Sequence, residues 1–160
     1  MKIIAANPSD AERIAEIISL SNKDVAASFG INKDNNPKHP SFYTKEWALS
    51  DFERGEEYFI CSENGVEIGC IAFEESKSGR GYLNRLSVLP EYRNHGVGER
   101  LVQHVLAHAK SNNITEISIG IIAKHTQLQA WYQKLGFTDN GLKEFPHLPF
   151  DVLFMKYVLA

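Results

Sequence analysis

The 160-residue chain has two cysteines, two tryptophans and six prolines, and no apolar run near the ~20 residues that cross a bilayer. Each shortage excludes something. Two cysteines cannot staple a disulfide scaffold. Residues 1–10 hold one Lys and a four-residue apolar patch before Asn7-Pro8, too short for the apolar core of a signal peptide. Positive charge is also scarce: 17 Lys and Arg against 20 Asp and Glu leave −3, the wrong sign for broad, phosphate-driven nucleic-acid binding. No internal repeat, Ser/Gly-rich linker or long charge block divides the chain. What remains is 43% hydrophobic, too apolar for a disordered chain and long enough for one compact domain with a full core. The expectation is a single cytoplasmic domain over 1–160 with neither nucleic acid nor membrane as partner.

The cysteines flank a turn. Asn64-Gly65 between Glu57–Ser62 and Val66–Glu74 is a strong hairpin signal. A simple two-residue turn sets Glu63 opposite Val66 and Cys61 opposite Ile68, leaving Cys70 diagonal to Cys61 at roughly 7–8 Å, beyond disulfide reach. Both thiols are expected free and in the core, which suits a reducing compartment. That register groups Phe59, Cys61, Ile68, Cys70 and Ala72 on one face, with Tyr58, Ile60, Ile71 and Phe73 on the other. Two apolar faces mean a covered, central part of a sheet.

Around the hairpin the pattern alternates. A strand over Lys2–Ala6 precedes a helix with Ile14, Ile17, Ile18 and Ser21 on one side, capped by Ser9 or Asp10. Residues 30–43 read as a loop between shorter helices. A further helix carries Trp47, Leu49 and Phe52, with Thr44 as its cap. After the hairpin, a strand over Gly81–Leu89 runs into a helix whose apolar side holds Val97, Leu101, Val102, Val105, Leu106 and Ala109. Strand Ile114–Ala123 follows, then a short helix with Leu128, Trp131, Tyr132 and Leu135, ended by Gly136. Strands Phe137–Lys143 and Phe150–Leu159 finish the chain. A hairpin followed by β-α-β predicts an α/β fold, a mixed sheet covered by helices on both faces.

The most informative stretch is Leu86-Ser-Val-Leu-Pro-Glu-Tyr-Arg93-Asn-His-Gly96-Val-Gly98. Pro90 stops the strand's hydrogen-bond ladder. The glycines let backbone N–H groups approach a ligand, and the helix starting there adds unpaired N–H groups and the positive end of its dipole. From Arg80 to Lys110, five basic residues meet two acidic ones, so the rest of the chain carries −6. A diphosphate would be drawn to this edge. A P-loop is excluded, since no Gly-Lys-Ser/Thr follows. A dinucleotide fold wants a small residue where Leu101 stands and an acid at the far end of the next strand, whereas Glu116 lies near its start. A tight turn without any ligand would also explain two glycines.

Two motifs together are more specific. Arg93-Asn-His-Gly96-Val-Gly98 resembles the Arg/Gln-x-x-Gly-x-Gly/Ala motif of the GNAT superfamily of N-acetyltransferases. Trp131-Tyr132-Gln-Lys-Leu-Gly136-Phe137 resembles that family's Tyr-x-x-Leu-Gly-Phe element. The resemblance covers Gly81–Phe137. It implies a mostly antiparallel mixed sheet with a central β-α-β cofactor unit, and acetyl-CoA as donor and co-substrate, with CoA as the thiol released. By that resemblance, backbone amides from Arg93, Asn94, His95, Gly96, Val97 and Gly98 hold the pyrophosphate. The pantetheine arm lies between splayed parallel strands along Leu86, Ser87 and Val88, with the Val88 amide facing the thioester oxygen. Tyr132 is the expected general acid for the departing thiolate, although packing alone would also explain it.

Two positions depart from the family pattern. His125 stands where members often have an Asn that contacts CoA. Asn84, in Tyr82-Leu-Asn84-Arg85, stands where many have a Glu, and an amide cannot take a proton at neutral pH. The base is therefore unassigned, with Glu74, Glu75, His39 and His147 candidates by residue type only. His39-Pro40 and His147-Leu-Pro149 could border an acceptor pocket. His104 and His108 share a helix face, but no third ligand accompanies them, so no metal is expected. The reading is acetyl transfer to an amine-bearing acceptor, a small molecule ahead of a protein, by direct attack. The alternatives kept open are a non-catalytic acyl-CoA-binding sensor and, behind it, a nucleotide-cofactor oxidoreductase. A homodimer is also open.

Overall fold

A computed structural model of the chain describes residues 1–76 and 78–159. In chain order it contains β1 (Lys2–Ala5), α1 (Ala11–Ser21), α2 (Lys23–Ser28), α3 (Lys45–Glu53), β2 (Glu57–Glu63), β3 (Val66–Glu75), β4 (Arg80–Val88), α4 (Val97–Ser111), β5 (Glu116–Ile122), α5 (Thr126–Lys134), β6 (Thr138–Lys143) and β7 (Val152–Val158). The strands form one sheet in the order β1-β2-β3-β4-β5-β7-β6. Every neighbouring pair is antiparallel except β4 with β5, so the fold is the expected mixed, mostly antiparallel α/β sheet.

Helices cover both faces because both faces are apolar. On one, Ile14, Ile17 and Ile18 of α1 and Ala48 of α3 bury against Tyr58, Ile60, Cys70 and Ala72. On the other, Val97, Leu101, Val102 and Val105 of α4 and Tyr132 of α5 bury against Phe59, Ile71, Phe73, Ile117 and Met155. The caps follow local chemistry. Thr44 Oγ1 accepts from Trp47 N–H at 3.2 Å at the start of α3. The first helical segment differs from expectation: Asn7, with Asp10, forms a capping box on a 3-10 turn, and Asp10 makes no side-chain cap to α1. Asn7 wins because Pro8 starts that turn and needs no N–H partner. Gly136, at φ 106, ends α5, and a Cβ there would meet the Tyr157 ring at 2.8 Å.

The hairpin corrects the simple register. Glu63 pairs with Val66 as expected, but Cys61 pairs with Gly69 and Ile60 with Cys70. One extra residue in β3, beside the shift between Cys61 and Ser62, forms a bulge that flips the alternation beyond it. Cys61 and Ile68 therefore share a face with Ile71 and Phe73, while Cys70 faces the other helix layer with Ala72. The cysteines are free and buried, and the sheet itself lies between them.

A second bulge, in β4, shapes the site. Cys70 pairs with Ser87 but Ala72 pairs with Asn84, so Arg85 and Leu86 stand together opposite one β3 residue. Arg85 takes φ 52 to do this, an uncommon conformation for a non-glycine residue. Such a bulge bends a strand and re-aims it. Pairing of β4 with β5 is confined to Arg80–Tyr82 against Glu116–Ser118. Both strands then continue unpaired to each other, to Val88 and Ile122, and this gap is the expected splay.

Candidate active site

The site begins at the end of β4. Pro90 opens a 3-10 turn, and Asn94 and Gly96 take left-handed backbone at φ 65 and φ 80 before α4 starts at Val97. Alternation of this kind turns successive N–H groups to one side and forms an anion nest. Among the described residues, the N–H groups of Asn94, His95, Gly96, Val97, Gly98 and Glu99 meet no protein acceptor. A Cβ built on Gly96 would meet nothing within 4 Å, so the nest opens outward. Six donors at a helix N-terminus fit a diphosphate. Gly98 has a different reason: a Cβ there would press on the Trp131 ring at 3.3 Å, so its smallness lets α5 pack against α4.

From the nest, a cavity of about 1000 Å³ runs into the gap between β4 and β5. Leu86, Ser87 and Val88 form one wall and Ile119 to Ile122 the other. Leu89 donates its N–H to Ile68 O of β3 at 2.9 Å. Backbone direction alternates along a strand, so the Val88 and Leu86 amides turn to the gap, where an extended ligand could pair as an added strand. Tyr132 and His125 border the same cavity. Burial raises the Tyr132 phenol well above its ordinary value, and it stays protonated at any physiological pH. His125 packs on Phe29 with ring centroids 5.5 Å apart, and burial lowers its pKa.

The opposite wall comes from the N-terminal half, through Ser21, Asn22, Asp24, Asn36 and His39. His39 Nδ1 accepts from Ser41 N–H at 3.2 Å. A backbone N–H can only donate, so a neutral ring carries its proton on Nε2. Burial lowers its pKa and favours that neutral form.

Behind Asn84 and Arg85, which line the cavity, lies a charged network. Asp51 and Glu56 are 2% and 4% exposed, so each needs partners. Asp51 accepts from the hydroxyls of Tyr43 and Tyr58 and pairs with Arg54. Glu56 pairs with Arg54 and Arg85 and accepts from Asn84 Nδ2 at 3.1 Å. Burial raises the Glu56 pKa, opposed by Arg85. Arg85 also donates from Nε to the Tyr58 hydroxyl at 2.8 Å.

The acetyltransferase (GNAT) family profile matches residues 18–137, three quarters of the chain. The protein belongs to the GNAT acetyltransferase family. Its relatives include the amino-acid acetyltransferase of Ralstonia nicotianae, 28% identical over 90 residues, which are 56% of this chain and 19% of that protein. The chain thus spans about a fifth of the length of that relative. The [ribosomal protein bS18]-alanine N-acetyltransferase of Escherichia coli is 22% identical over 131 residues, 79% of this chain and 83% of that one. Among solved structures, a GNAT acetyltransferase from Staphylococcus aureus Mu50 superposes with a TM-score of 0.75 at 26% identity, covering 99% of both chains. The PaiA N-acetyltransferase from Thermoplasma acidophilum, solved with coenzyme A, gives 0.78 at 20% identity, also covering 99% of both chains.

Within this GNAT chain, the cavity gathers Leu86, Ser87, Val88, Asn94, Gly96, Val97, Gly98, His125 and Tyr132. Arg93 is there too, but its guanidinium points back to Asp24 and donates to Ser21 O at 2.6 Å. It ties the loop to α1 and α2, and its own N–H donates to Pro90 O at 3.3 Å, so the free amides begin at Asn94 and the expected Arg93 amide is not among them. The His95 side chain turns instead to a shallow depression beside Met1 and Arg100. Of the candidate bases by residue type, Glu74 reaches Asn84 at 3.3 Å and His39 lines the cavity. Glu75 and His147 do not line it, and His147 rests on Phe145. His104 and His108 pack their edges on Phe59, and His108 pairs with Glu57 at 2.9 Å. Burial raises Cys61 and pushes Cys70 up to about 12, so neither thiol is an ionised nucleophile. The sequence reading missed Asp51, Glu56 and Arg85. The one available signal was Arg85 beside Asn84 on a strand with two apolar faces, a position where a buried charge needs buried partners.

Proposed function

We propose that the protein moves the acetyl group of acetyl-CoA onto a primary amine by direct attack. The support is one juxtaposition: six consecutive unpaired N–H groups, 94–99, open onto the gap where β4 and β5 stop pairing. On this reading those amides hold the diphosphate. Leu86 and Val88 hold the pantetheine arm, and the Val88 N–H faces the oxygen on which negative charge grows. An alkylammonium of pKa near 10.4 must first lose a proton, which takes roughly 4–5 kcal/mol at pH 7, and water in the open cavity carries that proton away. The amine lone pair forms the C–N bond as the C–S bond breaks. Tyr132 gives its phenolic proton to the leaving sulfur and regains one, through water, from the new amide nitrogen.

The acceptor is a primary amine on a small molecule or a peptide. The names of the relatives, which act on amino acids and on a ribosomal-protein alanine, support this breadth. No helix of the described residues is long and apolar enough to cross a membrane, and two buried free thiols suit a reducing cytoplasm.

The test is acetyl-CoA turnover, followed as free CoA thiol, with a polyamine, an aminoglycoside, free amino acids and an alanyl peptide as acceptors. Thiol release that depends on one acceptor class supports the proposal. Acetyl-CoA binding without release for any acceptor would overturn it in favour of a non-catalytic sensor, and saturation by NAD but not CoA would favour an oxidoreductase.

A further inference from the structure

Asn84 occupies the β4 position where the family resemblance calls for a carboxylate, and an amide cannot replace a base. The surroundings assign it other work. One terminal atom of Asn84 lies 3.1 Å from Glu56 Oε1 and 3.3 Å from Glu74 Oε1. Ionised carboxylates only accept, so the atom between them must be the nitrogen, with both of its hydrogens engaged. The amide is thereby fixed in one of its two flips. Its oxygen, the other atom on Cγ, is thus identified in a side chain that lines the cavity, and no donor among the described residues reaches it.

Charge adds to this. The network holds three carboxylates, Asp51, Glu56 and Glu74, against two guanidiniums, Arg54 and Arg85, so one negative charge is left over beside the cavity. An acceptor arriving as an ammonium is favoured there, and an N–H of that acceptor finds an oxygen whose direction is already set.

We infer that Asn84 positions the acceptor amine, its Oδ1 taking an N–H of the incoming nitrogen and aiming the lone pair along the β4–β5 gap, and that Glu56 and Glu74 hold Asn84 in that orientation. This rests on the acetyl-transfer reading and adds to it a residue and a role. Asn84 touches the substrate, while Glu56 and Glu74 act through Asn84. The ammonium proton still leaves to water, so no group in the network needs to change its ionisation.

The experiment measures the steady-state KM and kcat for the acceptor found in the amine panel, and separately the affinity for acetyl-CoA by calorimetry. In Asn84→Ala, kcat/KM for the amine is expected to fall about tenfold or more, with acetyl-CoA affinity within about twofold of the parent. Glu74→Gln, at a half-buried position, is expected to shift the amine parameters the same way but less, because glutamine can also donate and no longer dictates the flip. Adding Glu74→Gln to Asn84→Ala should then change the amine parameters no further, because Glu74 acts through Asn84, whereas a merely structural role would lower acetyl-CoA affinity along with them. If Asn84→Ala does not fold, Glu74→Gln alone must still lower kcat/KM for the amine and leave acetyl-CoA affinity intact. An active enzyme whose amine kinetics ignore Asn84→Ala or Glu74→Gln overturns this inference while leaving acetyl transfer standing. A parent protein that binds acetyl-CoA and acetylates none of the amines overturns both.

Discussion

The two walls of the cavity are built on different principles. The donor wall, from β4 through α5, presents backbone groups: the 94–99 nest and the Leu86 and Val88 amides. They come from one short stretch, 86–99, held by a proline stop, two left-handed residues and a helix start. The acceptor wall presents side chains. Asn84 and Arg85 of β4 line it, while Asp51 of α3, Glu56 of the loop before β2 and Glu74 of β3 stand behind them, and none has a defined role until the others are beside it. A ligand common to a whole family can be held by peptide groups that every sequence possesses. A particular acceptor has to be recognised by side chains, which can vary without disturbing the loop.

That contrast can be broken by substitution. If it holds, changes on the donor wall should strike acetyl-CoA binding or the chemical step and spare the fold, while changes on the acceptor wall should strike stability or the amine. The largest effect belongs to Gly96→Asp. Its Cβ meets nothing, but at φ 80 any side chain is strained, so Gly96→Asn serves as the control of equal size and equal strain; only the aspartate puts a carboxylate at the mouth of the nest, where it opposes a diphosphate. Acetyl-CoA affinity by calorimetry should fall by roughly 100-fold or more relative to Gly96→Asn, with both variants melting a few degrees below the parent, about 2–4 °C per kcal/mol of strain. Undiminished affinity would remove the nest from the mechanism. Next is Tyr132→Phe, expected to lower kcat about 100-fold with acetyl-CoA affinity kept, since the ring's packing on Trp131 and Phe137 remains. Unaltered turnover would leave Tyr132 a packing residue.

On the other wall, Tyr58→Phe deletes a buried hydroxyl that donates to Asp51 at 2.6 Å and accepts from Arg85. Urea unfolding should show a loss of about 2 kcal/mol, and a loss under half of that would mean the network relaxes around the gap. Thr44→Ala removes the α3 cap and should cost about 1 kcal/mol in the same measurement. The smallest effect concerns pH. His39 has a native pKa below its ordinary 6.5, so the unfolded chain takes its proton first. Stability should therefore decline as pH falls below about 6.5, until the lowered native value is reached. His39→Asn keeps an acceptor for Ser41 N–H and cannot titrate, so its stability should fall less steeply over that window. Parallel curves would show that His39 ionises without penalty.

Much of the chain from the hairpin through α5 was legible in the sequence. The Asn-Gly turn, Pro90, the helical spacing from Val97 to Ala109 and the terminal Gly136 each act within a few residues, and the elements they announce are present within a residue or two of their expected ends. The hairpin shows where that legibility stops. Counting back from Asn64-Gly65 gives Cys61 opposite Ile68, but a bulge sets it opposite Gly69 and exchanges the faces of Cys70 and Ala72. Gly69, a glycine inside the strand and next to the extra residue Ile68, is the one local sign of it. A Cβ at Gly69 would meet Ser87 O at 2.9 Å, so what demands the glycine is the backbone of β4, far away in the chain. Glu56 was silent. It reads as one more surface acid until Arg54, Asn84 and Arg85 surround it.

By itself, then, the sequence determined the order of elements, the glycine turn ahead of α4 and the pair of motifs that place the chain among acetyltransferases, because those depend on backbone geometry between near neighbours. Only the tertiary structure decided which face each cysteine occupies, how far β4 and β5 stay paired, and which acids and bases meet behind the acceptor wall. Those outcomes depend on strand register and on burying charges together, and both are settled by groups that come from distant parts of the chain.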